Sequence, residues 1–331
     1  MKAKHLIVFD MDGVIVDVSD SYRDVVRQAA RLFFGPARAS EKLPNPLFEL
    51  SDLALVKQGG GLNNDWDLTR QVIDLLFALV EKPVVQGSQD PWSRYRDTLN
   101  RCDVTALASY LAETPQPLKT LVRQKNRSED VFIGCLYRGD VGSGNIIKQI
   151  FQELYLGEVL FRSTYHLTPQ IYRGQGYILR EKVLVDREVL AELSSEHILA
   201  IATGRPKAEA EYPLNSFDLK KYFSVIYTLD DCLKEEKRIF ETEGRAVALS
   251  KPNPFMLDAI AAGRLDQVGK LYYIGDMPDD MRAAARSCFG YKSIGILISA
   301  PDKASLRKEL RHAGAGYIIE DFRQLKAILE K

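Results

Sequence analysis

The sequence predicts an α/β protein, a three-layer parallel sheet core with helices on both faces, interrupted near its start by a long, mainly helical insertion. Two observations carry this. Short, wholly apolar, β-branched runs sit near both ends of the chain and alternate with helical patterns, whereas between about Val18 and Val183 helical periodicity dominates and such runs are scarce. With 331 residues, 46% of them hydrophobic, the chain can bury one large or two medium cores.

Taken in order, the run from Leu6 to Phe9 reads as a buried strand that delivers Asp10 at its C-terminal end. Four later runs have the same character: His197 to Ala202, Val225 to Tyr227, Leu271 to Ile274 and Ser293 to Leu297. Asn253-Pro254 reads as an N-cap and first-turn pair, and Pro278-Asp279-Asp280 opens a helix running to about Cys288. In an open α/β sheet, ligands lie beyond the C-terminal ends of the strands, so Asp10, Thr203 and Asp276 should converge there. Within the insertion, Ser21 to Phe34, Asp67 to Val80, Pro91 to Leu111 and Asn145 to Leu156 read as amphipathic helices. The expected division is 1–17 with 184–331 for the sheet domain and 18–183 for the insertion.

Charge narrows the partners. The 45 basic residues equal the 45 acidic ones, and no run of Lys and Arg is dense enough to follow a nucleic-acid backbone. A small-molecule partner is expected, with no nucleic acid or membrane, in a monomer or homodimer. Cys102, Cys135, Cys232 and Cys288 are widely spaced, which suggests neither a zinc site nor a disulfide framework. The first apolar stretch is broken by Asp10 and Asp12, unlike a signal-peptide core, and no stretch approaches the roughly 18 apolar residues of a membrane span. A soluble, cytoplasmic protein is expected.

The chemistry concentrates in four segments. Asp10-Met11-Asp12-Gly13-Val14 follows the first strand, where a turn can aim both carboxylates at one bound group; alone, the pair reads more readily as a solvated or capping pair. Thr203-Gly204-Arg205 follows another strand, where a hydroxyl and backbone amides at a helix start can cradle a phosphate, though a lone Thr there is commonly an N-cap. Lys251 is flanked by rigid residues in Ser250-Lys251-Pro252-Asn253-Pro254, and a compact ammonium suits a phosphate and a charged nucleophile. Gly275-Asp276-Met277-Pro278-Asp279-Asp280 adds carboxylates of the kind hard magnesium prefers. Capping explains any one of these acids but not the four segments in this order.

That ordered set resembles the motifs of the haloacid dehalogenase-like hydrolase superfamily, specifically its phosphatase-type members with a cap inserted after the first motif. The resemblance covers about half the chain and implies a Rossmann-like core whose cap is unusually long here. It implies Asp10 as the nucleophile and Asp12 as the general acid and base. Gly13, Thr203, Gly204 and Lys251 would hold the phosphoryl group. Asp10, Asp12 (through its carbonyl), Asp276 and Asp280, the last directly or through water, would hold Mg2+. The implied reaction is hydrolysis of a small phosphomonoester. A sugar-phosphate mutase using the same core, and a non-catalytic binding protein on the same fold, are the alternatives. Asp12 argues against a dehalogenase, and a phosphonate hydrolase would need a cap lysine, for which Lys57 is a candidate.

Substrate choice should lie in the cap. The block Gly60 to Asp67, with Asn63, Asn64, Asp65 and Trp66, mixes flexible backbone, hydrogen-bonding groups and one aromatic suited to a sugar or polyol phosphate; it reads equally as a glycine loop and helix start. Arg23, near the entry to the insertion, is a further candidate. The glycine-rich turns Arg138 to Asn145 and Tyr172 to Tyr177 read as cap loops rather than ligand sites.

Overall fold

A computed structural model describes residues 4–53, 64–82, 90–124, 129–264 and 268–330. The chain divides into two compact units, Met1–Val18 with Glu181–Lys331, and Ser19–Arg180.

The first unit is built on a six-stranded, wholly parallel sheet of order β5-β4-β1-β6-β7-β8. In chain order these strands are β1 (Leu6–Phe9), β4 (Ile198–Ala202), β5 (Val225–Tyr227), β6 (Leu271–Gly275), β7 (Lys292–Ile296) and β8 (Tyr317–Ile319). The apolar runs form strands because the sheet buries both faces. Ile7 and Phe9 of β1 pack with Leu199, Ile201, Tyr272, Ile274 and Ile294 on one side. Leu6 and Val8 pack with Ala200, Ala202, Tyr273 and the helix Phe255–Ala262 on the other. Sequence reasoning passed over β8, a three-residue edge strand only partly buried, too short and too weakly apolar to read as a run.

β1 is the strand at which the winding reverses, with Phe9 beside Ile201 of β4 and Ile274 of β6. The residues just past these strands are therefore neighbours at the switch point of the sheet. Beyond Asp10 the chain makes a tight turn, in which the amides of Ile15 and Val16 donate to the Met11 carbonyl at 2.9 and 3.0 Å. A two-stranded antiparallel ribbon, β2 (Val16–Asp17) with β3 (Lys182–Val183), then marks where the chain leaves and re-enters this unit.

The second unit is helical. Its described helices are Tyr22–Phe33, Asp65–Phe77, Pro91–Leu99, Thr105–Glu113, Pro117–Gln124, Val131–Cys135 and Ile146–Tyr165. The single helix expected from Pro91 to Leu111 is two. Between them, Cys102 and Asp103 turn their backbone outward to bond Arg38 and Glu81, and the Asp103 carboxylate accepts from the Thr105 amide to start the second helix. The helix expected to stop at Leu156 continues past a kink at Gly157, whose φ of 69° and ψ of 173° are not helical. A Cβ there would lie 2.2 Å from the Gly176 nitrogen, so glycine is required where the segment around Gly176 crosses the helix. No described helix is long and apolar enough to cross a membrane.

Candidate active site

Within the first unit, carboxylate oxygens of Asp10, Asp276 and Asp280 lie within 4.8 Å of one another, and all three residues are buried. Asp10 and Asp276 reach this point because each follows its strand, β1 or β6, at the switch point. Asp280 arrives from the first turn of the helix Pro278–Arg286, where its Oδ2 accepts from the Met277 amide at 3.0 Å. Lys251, from the loop ahead of the helix Phe255–Ala262, places Nζ 2.7 Å from Asp10 Oδ1 and 2.8 Å from Asp280 Oδ1. Tyr273 of β6, which sequence reasoning missed, accepts from Lys251 at 3.1 Å and donates its hydroxyl proton to Asp280 Oδ1 at 2.8 Å. A tyrosine inside an apolar strand carries no sequence signal beyond core packing.

The electrostatics follow from burial. Burial pushes the Asp10 carboxyl well up, the Asp280, Asp276 and Asp12 carboxylates add to this, and Lys251 opposes it. Burial also disfavours the Lys251 ammonium, but Asp10, Asp280 and Tyr273 outweigh it and keep the amine firmly protonated. Three buried carboxylates about one ammonium leave net negative charge, an arrangement suited to a further cation.

Gly13 is required by the close approach of Asp276. Its φ is +70°, and a Cβ would fall 2.1 Å from Asp276 Oδ2 and 2.8 Å from Ser299 Oγ, so a side chain here would displace the acid.

The Thr203 loop departs from the expected cradle of open amides. The Thr203 amide donates to the Tyr227 carbonyl at 3.0 Å, the Arg205 amide to Thr203 Oγ1 at 3.2 Å, and the Lys207 amide to Asp230 Oδ2 at 2.7 Å. Pro206 has no N–H. The exposed Gly204 amide thus remains for a ligand, and a Cβ at Gly204 would meet nothing within 4 Å.

Asp12 lies outside the carboxylate triad and is paired with Arg205: Nε donates to Asp12 Oδ1 at 2.6 Å. Arg205 belongs to a recognisable motif, but nothing in the sequence assigned it a role. Of the cap candidates, Asn63 and Lys57 lie outside the described residues. Asn64 caps the helix Asp65–Phe77 by accepting from the Trp66 amide at 2.9 Å, and the Trp66 ring lies under Lys148 Nζ at 4.0 Å. Both contacts are local to the helical unit, as are the positions of Arg23 and Asp65.

Residues 185–296 match the family model of haloacid dehalogenase-like hydrolases, a span that takes in β4 to β7 with the Thr203, Lys251 and Asp276 segments. Over these residues the parallel-sheet unit is similar to haloacid dehalogenase-like hydrolases. A protein named imidazoleglycerol-phosphate dehydratase, from Phytophthora nicotianae, is 30% identical over 128 residues, or 37% of this chain and 24% of that one. One described as a pyrophosphatase, PpaX, from Caldanaerobacter subterraneus subsp. tengcongensis, is 29% identical over 170 residues, or 50% of this chain and 66% of that one. The chain therefore spans less than two thirds of the length of each. Among solved structures, a structural-genomics target superposes with a TM-score of 0.63 at 20% identity, covering 99% of this chain and 98% of the other. A phosphatase, Tt82, from Thermococcus thioreducens, gives 0.51 at 20% identity, covering 92% and 99%. At that identity the likeness is one of fold.

Proposed function

We propose that this protein is a magnesium-dependent phosphatase acting on a small phosphorylated metabolite, such as a sugar or polyol phosphate, through an aspartyl-phosphate on Asp10. The observation that carries the reading is the meeting of Asp10, Asp276 and Asp280 at the end of β1, with Lys251 paired to Asp10 and Asp280. The match of residues 185–296 to the hydrolase family model and a relative described as a pyrophosphatase support it.

The donor set fits a hard divalent cation, being all carboxylate oxygen, with Gly13 leaving room for Asp276. Asp10, Asp276 and the Asp12 carbonyl would hold Mg2+. Asp280, whose two oxygens already accept from Lys251, Tyr273 and the Met277 amide, would act through water. Bound there, Mg2+ supplies positive charge against the phosphate.

A carboxylate oxygen of Asp10 attacks phosphorus while the bond to the leaving oxygen breaks, and Asp12 gives that oxygen its proton. Water then attacks the phosphoaspartate, Asp12 takes a proton back, and inorganic phosphate leaves. Two like unit charges 4 Å apart repel by ~4 kcal/mol at an effective dielectric of ~20, so Asp10 meets a phosphate only if that repulsion is offset. Lys251 offsets it from one side and the Gly204 amide and Thr203 hydroxyl bind the phosphoryl oxygens from the other. In this reading the partners are the metabolite and the metal alone, for a cytoplasmic monomer or homodimer.

The test is a panel of phosphorylated metabolites assayed for phosphate release with Mg2+ and with a chelator, for wild type and Asp10→Asn. The expected result is metal-dependent release of phosphate in step with alcohol, reduced at least ~10³-fold by the substitution. Equal silence of both proteins across the panel would favour a binding protein, and isomerisation of a sugar phosphate without free phosphate would favour a mutase.

A further inference from the structure

Asp12 is held by a buried side chain that the proposed chemistry does not use. The Arg205 side chain is 1% exposed and that of its partner Glu181 is 0% exposed. Glu181 takes the guanidinium as a fork, Nη1 to Oε2 at 3.0 Å and Nη2 to Oε1 at 3.1 Å. The Glu209 carbonyl accepts from Nη1 at 3.1 Å. The remaining edge faces Asp12 Oδ1, with Nε and Nη2 each at 2.6 Å.

The asymmetry of this chain of contacts gives it direction. Arg205 and Glu181 are fixed, since removing either would strand a buried charge. Their charges offset one another, so Arg205 acts on Asp12 chiefly through directed hydrogen bonds. The Asp12 side chain is 35% exposed and is the end that can move. A planar fork orients a carboxylate in a way that the point charge of a lysine cannot. Arg205 is also tied to the phosphate loop, its amide donating to Thr203 Oγ1. Glu181 stands directly before β3, which pairs with β2 just beyond the Asp12 turn.

We propose that Arg205 is the positioning residue for Asp12, anchoring one oxygen of its carboxyl so that the group meets the leaving oxygen, and that Glu181 holds Arg205 in register. The proposal rests on the reading of Asp12 as the general acid and base. Transfer of the proton matters for an alkoxide leaving group and little for a stabilised phenolate, so a defect in placing Asp12 should depend on the leaving group. A defect in folding or phosphate binding should not.

The experiment compares first-turnover alcohol release from an alkyl phosphate and from para-nitrophenyl phosphate, before water attacks the phosphoenzyme. It uses wild type, Arg205→Lys, Glu181→Gln and Asp12→Asn, each checked for folding by circular dichroism, and the two double variants with Asp12→Asn. Wild-type turnover tests the phosphatase reading itself; the variants test this one. In Arg205→Lys and Glu181→Gln the alkyl-to-aryl rate ratio should fall about tenfold or more, toward the ~10²–10⁴-fold loss typical of a missing general acid. In the Asp12→Asn background neither should lower the ratio further. Equal losses on both esters, an unchanged ratio, or a full additive effect on top of Asp12→Asn would each overturn the proposal. Should Arg205→Lys fail to fold, Glu181→Gln, which keeps the size of the side chain and one of its two acceptor oxygens, decides alone.

Discussion

Lys251 shows what a single residue can settle. From sequence it is one lysine among 45 basic residues; in the structure its ammonium joins Asp10 to Asp280 and Tyr273. The aspartates and the lysine were legible because each sits at a motif position that follows a strand or precedes a helix. Tyr273, Arg205 and Glu181 were not, because their partners are remote in sequence and a buried ion pair has no local pattern. A second residue-scale feature lies at the start of two strands. The rings of His5 and His197 stack with centroids 5.0 Å apart, and His197 Nδ1 accepts from the His5 amide at 3.3 Å, so Nδ1 must be unprotonated. Burial lowers both from the ordinary 6.5, with nearby lysines adding for both and His5 for His197. Just below that value the unfolded chain binds more protons than the folded one, so stability is complete above it and falls as pH drops through it. Melting temperature should therefore fall between about pH 7.5 and 5.5 more steeply in wild type than in His197→Phe; parallel slopes would remove the pair from the account.

At the scale of elements, the buried strands were readable because a run apolar on both faces has few other homes, and their alternation with helices dictated the parallel order. The cap helices were readable in place but not in extent, since the break at Asn100–Val104 and the kink at Gly157 are imposed by backbone pairing with distant segments. The element Ile146–Tyr165 also carries a buried acid that no motif announces. Glu153 accepts from Gln149 Nε2 at 2.9 Å and from the amides of Gln170, Ile171 and Tyr172 at 2.8, 2.7 and 3.0 Å. It thus satisfies backbone donors of a loop that has no strand to pair with. Glu153→Gln would turn an amide donor toward those N–H groups and should cost about 2–4 kcal/mol in denaturant unfolding of the helical unit. A change under about 0.5 kcal/mol would mean the loop is held by something else.

At the scale of the whole molecule, the sequence expects a sheet unit over 1–17 with 184–331 and a helical insertion between, and the structure has two compact units with boundaries at Val18 and Glu181. The sheet unit brings together Asp10, Asp276, Asp280 and Lys251, and the ribbon β2–β3 marks the points where the insertion departs and returns. Of the substrate candidates read from the sequence, Asn64 caps its helix and the Trp66 ring lies under Lys148. The central claim concerns one covalent bond, and one measurement reaches it directly: quench the enzyme during turnover with Mg2+, reduce it with borohydride, and map the peptides by mass spectrometry. An aspartyl-phosphate at Asp10 should be recovered as homoserine at that position, only when substrate and metal are both present. Turnover with no reduced residue at Asp10, or with the label elsewhere, would contradict the account.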